Sequence, residues 1–225
     1  MIIKTESTVF NVNADCIVNT INCDGFMGKG LALEFSLRYP KLDEIYSVQS
    51  QKKELKPGRV YYYQIDGQKI INFSTKDHFQ NPSKIEWIEF GLFEFINTYK
   101  KHSIKSVAFP LLGASNGGLN KEDVEEIMEK YLSQIDIDIY ICYGTKVEGK
   151  EKEMIENFSL TNLYSIQKVL KLNSKQVDAL IKNQYNVKRF YDILSIPSIG
   201  VNTYKKLFNY FYNSKKDNEQ ISLSI

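Results

Sequence analysis

The chain has 225 residues, 43% hydrophobic, 13% aromatic and 25% charged, enough for one full-sized domain with its own core and a small appendage. That composition excludes collagenous, mucin-like and largely disordered chains, and no apolar run approaches the roughly 20 residues of a membrane span. The net charge of +2 conceals an asymmetry: residues 1–150 carry 18 basic and 20 acidic side chains, whereas residues 158–216 carry ten basic and only two acidic, Asp178 and Asp192.

The first residues, Met-Ile-Ile-Lys-Thr-Glu, lack a basic segment leading into an apolar stretch, so no secretory signal and a cytoplasmic location are expected. Short β-branched runs predict strands over residues 16–21, 59–64, 69–73, 106–110 and 138–143. Helical periodicity between them predicts helices over 30–38, stopped by Tyr39-Pro40, over 83–101 with Ser83 as N-cap, and over 121–133 with Asn120 as N-cap. On the second of these, Trp87, Ile88, Phe90, Leu92, Phe93 and Phe95 are expected in the core. Lys56-Pro57-Gly58 and Asp66-Gly67 mark turns, the latter joining two strands as a hairpin. This alternation predicts an α/β domain with a central sheet flanked by helices. Past the charged stretch 146–156 the strands cease, and helices over 162–170, 174–182, 187–194 and 201–212 predict a small all-α domain. The expected division is 1–155 and 156–225, with no internal repeat and a frayed tail from residue 215. Cys16, Cys23 and Cys142 form no C-x-x-C pair and read as reduced thiols. The basic block fits either a polyanionic partner or a lysine-solvated helical surface.

Two glycine-bearing loops sit where strands feed helices, the usual place for a ligand in an α/β domain. The first, residues 19–30, reads Asn-Thr-Ile-Asn-Cys-Asp-Gly-Phe-Met-Gly-Lys-Gly and runs into a helix N-terminus, which favours an anion. The second, residues 110–119, reads Pro-Leu-Leu-Gly-Ala-Ser-Asn-Gly-Gly-Leu, with small residues that present successive N–H groups to a phosphate. Neither matches the P-loop or the dinucleotide G-x-G-x-x-G pattern, but two such loops on one sheet favour a pyrophosphate ligand.

These loops, together with Ile-Asn-Phe-Ser-Thr-Lys at residues 71–76, resemble the macrodomain family over about residues 1–155. More narrowly they resemble its DarG branch, the DNA ADP-ribosyl glycohydrolase antitoxins. The resemblance implies a mixed sheet flanked by helices with an ADP-ribose cleft, and removal of ADP-ribose from thymidine in DNA modified by a partner toxin. Lys76 matches the catalytic lysine of that branch, as nucleophile, proton donor or Schiff-base former, and Asn22 the asparagine that orients the distal ribose. The ligand-binding set implied is Thr8, Val9, Asn19, Gly28, Lys29, Gly30, Leu31, Thr75 and Leu112, with Gly113, Ala114, Ser115, Asn116, Gly117, Gly118 and Leu119 around the diphosphate. Where macrodomains usually carry an aspartate for the adenine amino group, this chain has Ser7-Thr8-Val9, with Thr8 or Glu6 as substitutes. Related eukaryotic glycohydrolases carry an aspartate that aligns with Gly117, so a Lys/Asp pair is not expected. The missing adenine carboxylate keeps open a second reading, a binding module that captures ADP-ribose or an NAD-derived nucleotide without turnover.

His78, Asp24 and Asp77 near Lys76 read first as loop, turn and cap residues, and His102 as a helix-terminal cation. No metal and no cofactor are expected. In the helical part, Ile-Pro-Ser-Ile-Gly at residues 196–200 resembles half of a helix-hairpin-helix, whose turn offers amides to a DNA phosphate. Ser198 stands for its first glycine, and Gly200, Lys188, Arg189, Lys205 and Lys206 complete the expected nucleic-acid set. The alternative is a helical appendage that dimerises or binds protein, a cognate toxin included.

Overall fold

The computed structural model describes residues 1–214 and divides into two compact units, Met1–Lys146 and Val147–Ile225. The division falls ahead of the expected 155/156, because the charged stretch opens a helix belonging to the second unit. The tail expected from residue 215 lies outside the described residues.

In the first unit, β1 (Ile2–Thr5), β2 (Cys16–Ile21), β3 (Val60–Ile65), β4 (Gln68–Ser74), β5 (Ser106–Pro110) and β6 (Asp138–Cys142) form one sheet of order β1-β6-β5-β2-β4-β3. All neighbours are parallel except β3 and β4, which pair antiparallel from Val60 opposite Phe73 to Ile65 opposite Gln68. Asp66 and Gly67 both take positive φ in the connecting turn, as a two-residue hairpin turn requires. β1 was not expected: at four residues it is too short to show a period.

Side-chain alternation sends Val18, Ile71, Phe73, Val107 and Phe109 to one face, where α3 (Ile85–Thr98) and α4 (Lys121–Leu132) cover them. Ile17, Ile21, Ile70 and Ala108 face α1 (Gly30–Arg38) and α2 (Pro40–Gln51). Both faces are therefore buried, as parallel strands require. α2, not expected, starts with Pro40 at its first turn and buries Leu42 and Tyr46; the proline that ends one helix opens the next. Asn120 caps α4 as expected, its side chain accepting from the Asp123 amide at 3.0 Å.

Three expectations for the 83–101 segment fail. Its N-cap is Lys84 rather than Ser83, whose hydroxyl caps no amide and whose own amide donates to the Gly117 carbonyl at 2.9 Å. Its last turn, Tyr99–His102, is 3₁₀. Phe90 and Phe93 are 63% and 60% exposed rather than core, since α3 turns only the Ile88, Leu92 and Phe95 stripe to the sheet.

The second unit contains α5 (Gly149–Leu160), α6 (Leu163–Leu170), α7 (Ser174–Asn183), a 3₁₀ turn (Phe190–Ser195) and α8 (Val201–Asn213). α5 escapes notice in the sequence because its buried Met154 and Phe158 are spaced among charges. The helix expected over 187–194 is reduced to 3₁₀: the Asp192 carboxylate takes the Lys188 and Arg189 amides at 3.2 and 2.8 Å, and Pro197 follows. A core of Phe158, Phe190, Phe208 and Phe211 stacks edge to face. The entries to two of these helices share a local geometry. Lys171 (φ +50), buried Leu172 and N-cap Asn173 precede α7; Ser198 (φ +73), buried Ile199 and N-cap Gly200 precede α8. Among the described residues no helix is long and apolar enough to cross a membrane.

Candidate active site

The C-terminal ends of β2, β4 and β5 open into a cleft of about 570 Å³. The loop after β2, residues 22–29, forms one wall, and the loop after β5, residues 111–120, forms the other. They meet at Gly30, whose φ of +58° disfavours any side chain and where a Cβ would lie 2.4 Å from the Asn116 amide nitrogen, displacing that side chain. Gly117 is constrained by backbone, since a Cβ would fall 2.2 Å from the Gly113 carbonyl oxygen. An aspartate at 117 therefore does not fit this backbone, in accord with the absence of a Lys/Asp pair.

Lys76 follows Ser74, the last residue of β4, by two positions and enters the cleft from its floor. Its amine donates to the Asn116 carbonyl and, at 3.4 Å, to the Phe79 carbonyl, which fixes Nζ between two loops. Burial, and secondly the Lys29 ammonium, hold it below the usual lysine range. No carboxylate lines the cleft, so two lysines, the glycine-loop amides and the α1 N-terminus make it a cationic slot suited to a diphosphate. Replacing Lys29 with methionine is expected to raise the Lys76 pKa, since a like charge no longer opposes protonation. Burial, the larger cause, remains, so only the smaller part of the depression is lost. The pH dependence of Lys76 acylation, followed by mass spectrometry, should shift to higher pH.

Asn22 is held rather than loose. Its side-chain oxygen accepts from the Asp24 amide and the Tyr46 hydroxyl, both at 2.9 Å, and its amide donates to the Phe26 carbonyl at 3.0 Å. One amide N–H then remains for a ligand. Tyr46, fully buried on α2, escaped the sequence reading because its role needs a long-range contact.

The cleft brings together Asn22, Gly28, Lys29, Gly30, Leu31, Thr75, Lys76, Gly113, Ser115, Asn116 and Gly117. It does not include Thr8, Val9, Leu112 or Ala114, all buried, nor Gly118 or Leu119. Asn19 is also outside: it is fully buried in β2 and donates to Asn72 of β4 at 2.9 Å, a cross-strand pair. Thr20, Ile21, Phe26, Ala32, Phe79, Gln80, Pro110 and Leu111 line the cleft without having been singled out. Asp24, Asp77 and His78 have the loop roles expected: the Asp24 carboxylate takes the Phe79 amide at 2.7 Å, and Asp77 takes those of His78 and the Asn81 side chain. Among the described residues no group of His, Cys, Asp and Glu could hold a metal ion.

In the second unit, Ser198 takes a positive φ of 73°, and Gly200 is the N-cap of α8. Neither α7 nor α8 has an acidic residue in its first turn. Their N-termini are tied, Gln176 donating to the Thr203 hydroxyl at 2.9 Å and Lys206 to the Lys171 carbonyl at 3.4 Å. Lys188 is exposed and Lys205 half-buried. Arg189 is different: its Nε donates at 2.8 Å to Glu151, whose side chain is 5% exposed, so its charge is matched within the unit.

The Macro domain family model matches residues 18–128. A DNA ADP-ribosyl glycohydrolase of Mycobacterium tuberculosis (strain ATCC 25618 / H37Rv) is 37% identical over 166 residues, which cover 72% of this chain and 47% of that protein. The chain thus spans about half the length of that relative. The macrodomain of Mycobacterium tuberculosis DarG superposes with a TM-score of 0.60 at 36% identity, over 63% of this chain and 97% of that one. Thermosipho africanus DarTG in complex with ADP-ribose superposes with a TM-score of 0.59 at 30% identity, over 65% of this chain and 43% of that one.

Proposed function

This chain belongs to the macrodomain family, and from that membership we propose that it is a DNA ADP-ribosyl glycohydrolase. The observation that carries the reading is the Lys76 amine, depressed in pKa, fixed between its own loop and the glycine loop after β5, and facing a cleft without carboxylates. The loops and the α1 N-terminus hold the diphosphate, and Asn22 orients the distal ribose. Water is consumed: the bond from ribose C1″ to the base nitrogen breaks, hydroxide joins C1″, and a proton passes to the base. Lys76 assists as acid or as nucleophile at C1″. Incubation with ADP-ribosylated single-stranded DNA and ADP-ribosylated protein side by side, with products read by mass spectrometry, tests this. Free ADP-ribose from the DNA is expected; an untouched DNA substrate overturns the reading.

One observation favours capture without turnover: Thr8 and Val9 lie outside the cleft, so neither replaces an adenine-reading carboxylate there. Nucleotide affinity with an intact DNA substrate is the outcome that would establish it.

The helical unit, in this proposal, brings the enzyme to DNA. Its support is the paired hairpin turns, the joined N-termini without acidic residues, and the lysines around them. A cytoplasmic location and a toxin that modifies DNA as counterpart accompany this reading. Affinity for unmodified DNA is expected to fall steeply, by about tenfold or more, between 50 and 200 mM salt and to be lost on deleting the second unit, residues 147–225. A salt-independent or deletion-independent affinity would assign the unit to protein contact instead.

A further inference from the structure

We propose that Phe26 and Phe79 form a stacking platform for the nucleobase that carries ADP-ribose, and so select modified DNA over modified protein. The inference rests on the glycohydrolase reading. Both rings line the cleft and are 60% and 46% exposed, so apolar ring surface is presented to whatever occupies it. They stand edge to face with centroids 6.0 Å apart.

Their placement is tied to the chemistry. The Phe26 carbonyl accepts from Asn22 and the Phe79 carbonyl from Lys76, so each candidate catalytic side chain is bonded to the backbone of one member of the pair. The Asp24 carboxylate, bound to the Phe79 amide at 2.7 Å, fastens the two loops to each other. The Phe26 ring lies against Gly28, where a Cβ would come 2.1 Å from it, so backbone supports the ring from one side. The His78 ring stacks on Phe79 at 4.6 Å. The pair is thus buttressed by the Gly28 backbone and the His78 ring.

During hydrolysis the leaving group occupies the far side of C1″ from the diphosphate, within reach of Lys76. A planar base there finds aromatic rings to stack on, and a guanidinium leaving group finds no carboxylate among the lining residues. Base stacking on an aromatic ring is sequence-tolerant and is worth about tenfold or more in affinity per ring.

The test uses the full chain carrying Lys76→Ala, which holds substrate without consuming it. The readout is the affinity for an oligonucleotide with one ADP-ribosylated thymidine, measured against free ADP-ribose and the unmodified oligonucleotide. Adding Phe26→Ala or Phe79→Ala should weaken binding of the modified oligonucleotide about tenfold each. ADP-ribose and unmodified DNA should change less than twofold, and Phe26→Tyr should retain the full affinity. Equal losses for ADP-ribose and modified DNA, or no loss for either, overturn the proposal. Failure of the glycohydrolase reading is distinguishable, because it shows as wild-type protein that leaves the substrate intact.

Discussion

Lys76→Ala is expected to lower the rate of ADP-ribose release from modified DNA by about 10³-fold while leaving ADP-ribose affinity within a few-fold. The size follows from the usual 10²–10⁴-fold contribution of one positioned proton-transfer group. The amine's own partners are backbone carbonyls, so truncation removes no ion pair and leaves no buried charge. The glycine loops and the α1 N-terminus, which the proposal assigns to the diphosphate, keep their geometry. Lys76→Arg is expected to fail as a replacement, because a guanidinium stays protonated and neither attacks C1″ nor yields a proton. Single-turnover release followed by mass spectrometry, with calorimetry for affinity, checks both variants. A Lys76→Ala protein that cleaves at the wild-type rate would remove Lys76 from the mechanism.

Glu151→Ala is expected to destabilise the helical unit by about 3 kcal/mol. Glu151 is 4% exposed on α5 and accepts both from Arg189 Nε at 2.8 Å and from the Phe190 amide at 2.9 Å. Truncation leaves a largely covered guanidinium and a buried N–H without their acceptor. Glu151→Gln keeps an acceptor for the amide and should recover part of the loss. The single tryptophan, Trp87, lies in the first unit, so its fluorescence and the far-ultraviolet circular dichroism read different parts of the chain during urea unfolding. The circular dichroism midpoint should move to lower urea and the fluorescence midpoint much less. Unchanged midpoints would show that the pair contributes nothing net.

Much of the fold was legible in the sequence. Strands β2, β4 and β5 carry short apolar or β-branched runs, and both glycine loops announced themselves by composition. Helix α4 carried its own capping signal in Asn120. What was not legible depended on partners distant in the chain. Ser83 looked like an N-cap, but its segment is tied to the second glycine loop through the Gly117 carbonyl and the helix starts two residues later. Phe90 and Phe93 looked like core, but a helix hides only the stripe that its sheet covers. Arg189 looked like a phosphate ligand until Glu151, 38 residues earlier, matched its charge.

The same division runs through the candidate site. Asn22, Lys76 and the glycines were readable because their chemistry is local: a loop that bends where only glycine fits, or an amine at a strand's end. Asn19, in the same loop motif, is turned inward by strand pairing and spends its amide on Asn72. The sequence by itself determined an α/β domain with two anion-favouring loops and a basic helical unit, because period, turn chemistry and charge are properties of neighbouring residues. Only the tertiary structure decided which side chains meet. The Lys76 amine between two loops, the Tyr46 hydroxyl on Asn22 and the exposed Phe26–Phe79 pair all arise from through-space packing of segments that the chain keeps apart.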